Sequence, residues 1–129
     1  MGQSVLVVED NELNRRLFTH VLSLDGYTVL EASDGIDGLR IARQKRPDLI
    51  LLDMELPRLA GLDVARRLRA DADLGATPIL AISAFISDQA AREARLAGCV
   101  DYLRKPVGPA EMLAAVRRVI EGAALSVES

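Results

Sequence analysis

Four hydrophobic runs in this chain each stop on residues able to do chemistry. Val5-Leu6-Val7-Val8 stops on Glu9 and Asp10, and Leu49-Ile50-Leu51-Leu52 stops on Asp53. Ile79-Leu80-Ala81-Ile82 stops on Ser83, and Tyr102-Leu103-Arg104 stops on Lys105 and Pro106. Continuous apolar runs of this length are typical of strands buried on both faces, and such strands belong to parallel sheets. If all four run parallel, their carboxyl ends meet at one sheet edge, where open α/β sheets bind ligands. Three carboxylates, a hydroxyl and an amine at that edge can hold a metal and a phosphoryl group.

Between the runs the pattern switches to helical spacing. Asp10 or Asn11 caps a first helix whose apolar stripe reads Leu13, Leu17, Val21 and Leu24, and Asp25-Gly26 stops it. Tyr27 to Ala32 reads as a strand near the sheet edge. A second helix follows Ser33-Asp34-Gly35 with Ile36, Leu39 and Ala42 inward, and Pro47-Asp48 breaks it. A third carries Leu62, Ala65 and Leu68; a fourth, capped by Ser87-Asp88, carries Ala91, Ala94 and Leu96. Pro109 sits in the first turn of a last helix with Met112, Leu113, Val116, Val119 and Ile120 on one stripe. Gly122 is expected to end it, giving one domain over residues 1–122 and a disordered tail over 123–129. Strict strand–helix alternation with short connections predicts a flavodoxin-like (βα)5 doubly wound sandwich, with a parallel five-stranded sheet of order 2-1-3-4-5. Its switch point lies between strands one and three, which carry Glu9, Asp10 and Asp53.

Composition narrows the function. A net charge of -3 speaks against nucleic acid or an anionic membrane as a direct partner. No apolar stretch approaches membrane-spanning length, and neither a signal peptide nor membrane insertion is expected. Cys99 is the lone cysteine, within an apolar stretch, and reads as an inert buried thiol in a reducing, cytoplasmic compartment. His20, Arg66, Arg67, Arg69, Arg117 and Arg118 read as solvated helix faces.

Clustered carboxylates repel one another, so a chain that keeps three together needs a compensating cation. Magnesium is such a cation, taking one or two carboxylates plus waters and phosphate oxygens. Asp10 and Asp53, with Glu9 close by, form the candidate site. Asp53, ending a fully apolar strand, has the placement of a nucleophile that forms an aspartyl phosphate. Lys105 supplies a mobile point charge, and Ser83 a hydroxyl donor beside the small Ala84. Pro106 leaves the isomer of the Lys105-Pro106 bond open.

The ordered set resembles the CheY-like receiver domain of bacterial two-component response regulators. The acidic pair Glu9-Asp10, Asp53-Met54-Glu55-Leu56-Pro57 with Gly61, Ser83-Ala84, and Gly98 through Lys105-Pro106 carry the likeness across essentially the whole chain. Asp10-Asn11-Glu12-Leu13-Asn14, with Leu17-Phe18, is most similar to stand-alone DivK-type receivers. The resemblance implies Mg2+-dependent transfer of a phosphoryl group from a phosphohistidine to Asp53, in a two-component system or phosphorelay. The donor would be a sensor histidine kinase or a histidine phosphotransfer protein. Asp10, Asp53 and the backbone carbonyl of Glu55 would hold the metal, with Glu9 assisting, while Lys105 and Ser83 bind the transferred oxygens. Ser83 and Tyr102 would act as the switch, altering the surface of helix four, strand five and helix five for a downstream protein target. Glu55 and Phe85 fall at two positions that tune loss of the phosphoryl group: Glu55 by perturbing the metal shell, Phe85 by hindering water.

This implies a phosphoacceptor rather than an enzyme, capable only of its own phosphorylation and dephosphorylation. Two other readings compete. A small phosphatase would use Asp53 as nucleophile and Glu55 as acid-base; a constitutive adaptor would dispense with phosphorylation.

Overall fold

The computed structural model describes residues 2–85 and 87–128, with side chains through Gly122. Five strands alternate with five helices. The strands are β1 (Ser4–Val8), β2 (Thr28–Ala32), β3 (Leu49–Asp53), β4 (Ile79–Ser83) and β5 (Cys99–Arg104). The helices are α1 (Glu12–Leu24), α2 (Gly35–Lys45), α3 (Gly61–Ala70), α4 (Asp88–Leu96) and α5 (Pro109–Glu128). The strands form one parallel sheet of order β2-β1-β3-β4-β5, as the alternation predicts.

Because side chains alternate across a strand, the sheet feeds two separate cores. Val5, Val7, Leu49, Leu51, Leu80 and Ile82 pack with Phe18 and Leu22 of α1 and Met112, Ala115 and Val116 of α5. Leu6, Val8, Ile50, Leu52, Ile79 and Ala81 pack on the other face with α2, α3 and α4. Every residue of β3 and β4 is buried, so their polar ends, Asp53 and Ser83, are held by strands that cannot shift without opening both cores.

The helix stripes need correction in places. In α1 the buried residues are Phe18 and Leu22, whereas Leu13, Leu17 and Leu24 are exposed. Ile36 of α2 and Leu96 of α4 also face outward. Short amphipathic helices with leucines on more than one face offer several stripes at correct spacing, and only docking onto the sheet selects one. The capping readings fare better: Asn11 accepts from the Asn14 N–H, Asp34 from Asp37 and Ser87 from Ala90. Pairing of β4 with β5 skips Val100 between Ile79↔Cys99 and Leu80↔Asp101, leaving Val100 exposed and making β5 longer than its apolar run.

The backbone of α5 continues past Gly122, where the sequence ends it. One internal glycine costs a helix only about 1 kcal/mol, and Ala123, Ala124 and Leu125 are strong helix formers. The expected disorder of 123–129 concerns residues whose side chains lie outside those described.

Gly61 fixes the loop after β3. Its N–H donates to the Met54 carbonyl at 3.2 Å. A methyl group there would meet the Asp53 carbonyl oxygen and the Met54 Cα, each at 2.5 Å, both backbone atoms with no room to yield. We expect Gly61→Ala to lower unfolding free energy by about 1–3 kcal/mol, the usual cost of overpacking, as read by urea denaturation.

Candidate phosphoryl-transfer site

The sheet order brings the ends of β1 and β3 side by side. There, Glu9, Asp10 and Asp53 place one carboxylate oxygen each within 4.8 Å of the others. Glu9 and Asp53 are buried, whereas Asp10 is exposed at the mouth. Glu9 is anchored by its own backbone: its N–H donates to the Ala32 carbonyl, and its carbonyl accepts from Arg15 at 2.9 Å. Its carboxylate accepts the Asn11 N–H at 3.1 Å.

Burial pushes the Glu9 carboxyl up to about 7; the Asn11 N–H opposes this, while the neighbouring Asp53 and Asp10 carboxylates add to it. Near neutral pH the acidic cluster therefore holds a proton that a divalent cation would displace.

Asp53 is 1% exposed, and its two oxygens differ. Oδ1 accepts the Glu55 N–H at 2.9 Å and the Lys105 ammonium at 2.9 Å. Oδ2 is buried without a hydrogen-bond partner among the described residues. A bare carboxylate oxygen beside two further acids suits a hard cation: the donor set is all oxygen, as magnesium requires. Lys105 reaches Asp53 from the end of β5, whose Lys105 N–H is tied to the Ser83 carbonyl at 2.9 Å. The Lys105-Pro106 bond, left open by the sequence, is cis. Burial works against the Lys105 ammonium, but its contacts with Asp53 and Glu55 outweigh that and hold its pKa above the usual lysine value.

Ser83 ends β4 and is buried. Its hydroxyl donates to Glu55 Oε2 at 2.7 Å and accepts the Phe85 N–H at 3.0 Å. Behind it lies a cavity of about 160 Å³, lined by Met54, Ala81, Ala91, Tyr102 and others, with Tyr102 half-buried. Phe85 is 72% exposed and Pro106 is exposed. Sequence reasoning missed two features. The Ala84 N–H donates to Glu55 Oε1 at 2.9 Å, and a backbone donor leaves no mark in residue identity. The Glu55 side chain turns to Ser83, Ala84 and Lys105, contacts the sequence reading did not include.

The profile of the response regulator receiver domain matches residues 5–117. The chain belongs to that family. This receiver is 40% identical to the polar-differentiation response regulator DivK of Brucella anthropi over 107 residues, 83% of this chain and 87% of that protein. Among solved structures, it resembles the chemotaxis response regulator CheY4 of Vibrio cholerae, with a TM-score of 0.88 and 30% identity over 92% of this chain and 99% of that one. The receiver domain of a sensor histidine kinase from Pseudomonas aeruginosa is also similar, with a TM-score of 0.84 and 36% identity. That likeness spans 94% of this chain and 99% of the other, which holds magnesium in its active-site cleft. Membership places the receiver in two-component signalling by phosphorylation. No described helix is long and apolar enough to cross a membrane.

The raised Glu9 pKa has a direct consequence for stability. A carboxyl whose folded pKa exceeds its unfolded value stabilises the fold fully below about 4.5 and loses that contribution as pH rises through about 7. Metal-free Glu9→Gln should therefore melt above the parent at pH 8, and this gap should shrink as pH falls below 7. Melting curves in chelator across that range check the sign.

Proposed function

We propose that this receiver accepts a phosphoryl group on Asp53 from a phosphohistidine, in a magnesium-dependent step. The observation that carries the reading is the asymmetry of Asp53: one oxygen is held by Lys105, and the other is buried and bare beside Glu9 and Asp10. An Asp53 oxygen attacks phosphorus, the bond from phosphorus to the histidine nitrogen breaks, and that nitrogen keeps the electron pair. Asp10, Asp53 and the backbone carbonyl of Glu55 would hold magnesium, with Glu9 acting through water. When bound, the metal neutralises carboxylate and phosphoryl charge. Lys105, Ser83 and the Ala84 N–H receive the transferred oxygens, so the chain contributes positioning and electrostatics.

The donor is a sensor histidine kinase or a histidine phosphotransfer protein. Leu13 and Leu17, exposed on α1 close to Asn14 and Phe18 at the site's rim, suit an apolar partner helix. Pulling Ser83 toward the phosphoryl group vacates space into which Tyr102 turns, altering the α4-β5-α5 surface read by a downstream protein. This is a two-state switch biased by a local charge. The unit is residues 1–122, a receiver acting in the cytoplasm that signals through protein contact or onward transfer, without turnover of a free substrate. Phe85, exposed beside Ser83, shields the phosphoryl group from water, and Phe85→Ala is expected to shorten the phosphoryl half-life.

The deciding test is intact mass after incubation with Mg2+ and acetyl phosphate, beside Asp53→Asn. One phosphoryl group gained by the parent and none by the control is the expected result. No gain in a folded parent sinks the reading. Turnover of a generic phosphate ester would then favour the phosphatase, and its absence the constitutive adaptor.

A further inference from the structure

We propose that the Glu55 carboxylate is a resident substitute for the transferred phosphoryl group, seated on the oxygen-binding groups of the site until phosphorylation displaces it. This rests on the receiver reading above and adds a gate to it. Three donors from two separate strand ends converge on one side chain. The Ser83 hydroxyl donates to Oε2 at 2.7 Å, the Ala84 N–H to Oε1 at 2.9 Å, and the Lys105 ammonium lies 3.2 Å from Oε1. A hydroxyl, a backbone amide and an ammonium are the groups that bind phosphoryl oxygens, and here all three are taken by a carboxylate instead.

The alternative for Glu55 is water. It sits on the loop after β3 with 28% of its side chain exposed, and a surface ion pair alone holds such a residue weakly. Burial raises its carboxyl pKa, yet the hydrogen bonds from Ala84 and Ser83 and the nearby Lys105 more than offset that and hold it below the usual range. Asp53 Oδ1 also accepts the Glu55 N–H, so the acceptor carboxylate and its rival leave the same short turn. An incoming phosphoryl group cannot reach Ser83 and Ala84 while Glu55 holds them, and two anions on one ammonium repel.

Glu55 must swing out before or during transfer, which slows acceptance from a small donor. Removing it should raise the rate of phosphorylation by acetyl phosphate about tenfold, the scale of one charge-assisted hydrogen bond. The experiment follows intact mass with Mg2+ for the parent, Glu55→Ala and Glu55→Asp, with Asp53→Asn as the blank and melting curves to confirm folding. Glu55→Asp keeps the charge but is one methylene too short to span Ser83 and Ala84, so it should accelerate as Glu55→Ala does. Parent-like rates in Glu55→Ala overturn the proposal; so does acceleration in Glu55→Ala with none in Glu55→Asp, which would make charge rather than occupancy the cause. A second readout needs no phosphorylation. Ala84 is exposed, so its amide should exchange with solvent faster in metal-free Glu55→Ala than in the parent. Equal exchange overturns the seat. Failure of the parent to accept a phosphoryl group removes the receiver reading, while Ala84 exchange still reports whether Glu55 is seated.

Discussion

Asp53 is a carboxylate at the end of a strand whose every residue is buried, and the rest of the site is arranged around that charge. An ionised acid with 1% exposure is costly unless paired. Lys105 pairs one oxygen, and because Lys105 comes from β5 while Asp53 comes from β3, that pairing spans β4. β4 lies between the two strands, and the bond from the Lys105 N–H to the Ser83 carbonyl ties the end of β5 to it. The sheet order is thus the means by which one buried charge acquires its partners.

The second oxygen of Asp53 is left to Glu9 and Asp10, which are themselves acids. Without a cation, burial first and the neighbouring Asp53 and Asp10 carboxylates second raise the Glu9 pKa toward neutrality. A divalent ion would replace that proton and lend its charge to an arriving phosphoryl group. The same crowding that makes the metal-free site uneasy above neutral pH makes it receptive to magnesium on the proposed reading.

Much of this was legible in sequence because the relevant signals were redundant. β1, β3 and β4 are continuous apolar runs, and a strand buried on both faces leaves little room for another assignment. Once their parallel order is fixed, Glu9, Asp10, Asp53, Ser83 and Lys105 must converge. The helices were harder. Leu13, Leu17 and Leu24 satisfy helical spacing as well as Phe18 and Leu22 do, and the choice between stripes is made by docking, which periodicity does not encode. The direction of the Glu55 side chain was beyond reach for a similar reason. Its torsions are set by donors on two other strand ends, one of them an amide with no residue signature.

Charge bookkeeping explains why Glu55 and a phosphoryl group cannot share the site. Around Lys105 stand Asp53 and Glu55, both anions, so one ammonium already faces two negative charges. A phosphoryl group on Asp53 brings further negative oxygens to the same ammonium. On the proposed reading Glu9, Asp10 and Asp53 would hold magnesium, which would offset part of that charge but would not supply a second set of donors in place of Ser83 and Ala84. Those two donors are fixed in number, and an anion that takes them must evict the one already there. On the proposed reading, occupancy of the slot therefore changes hands on phosphorylation, and the buried Ser83 hydroxyl exchanges the Glu55 carboxylate for a phosphoryl oxygen as its acceptor.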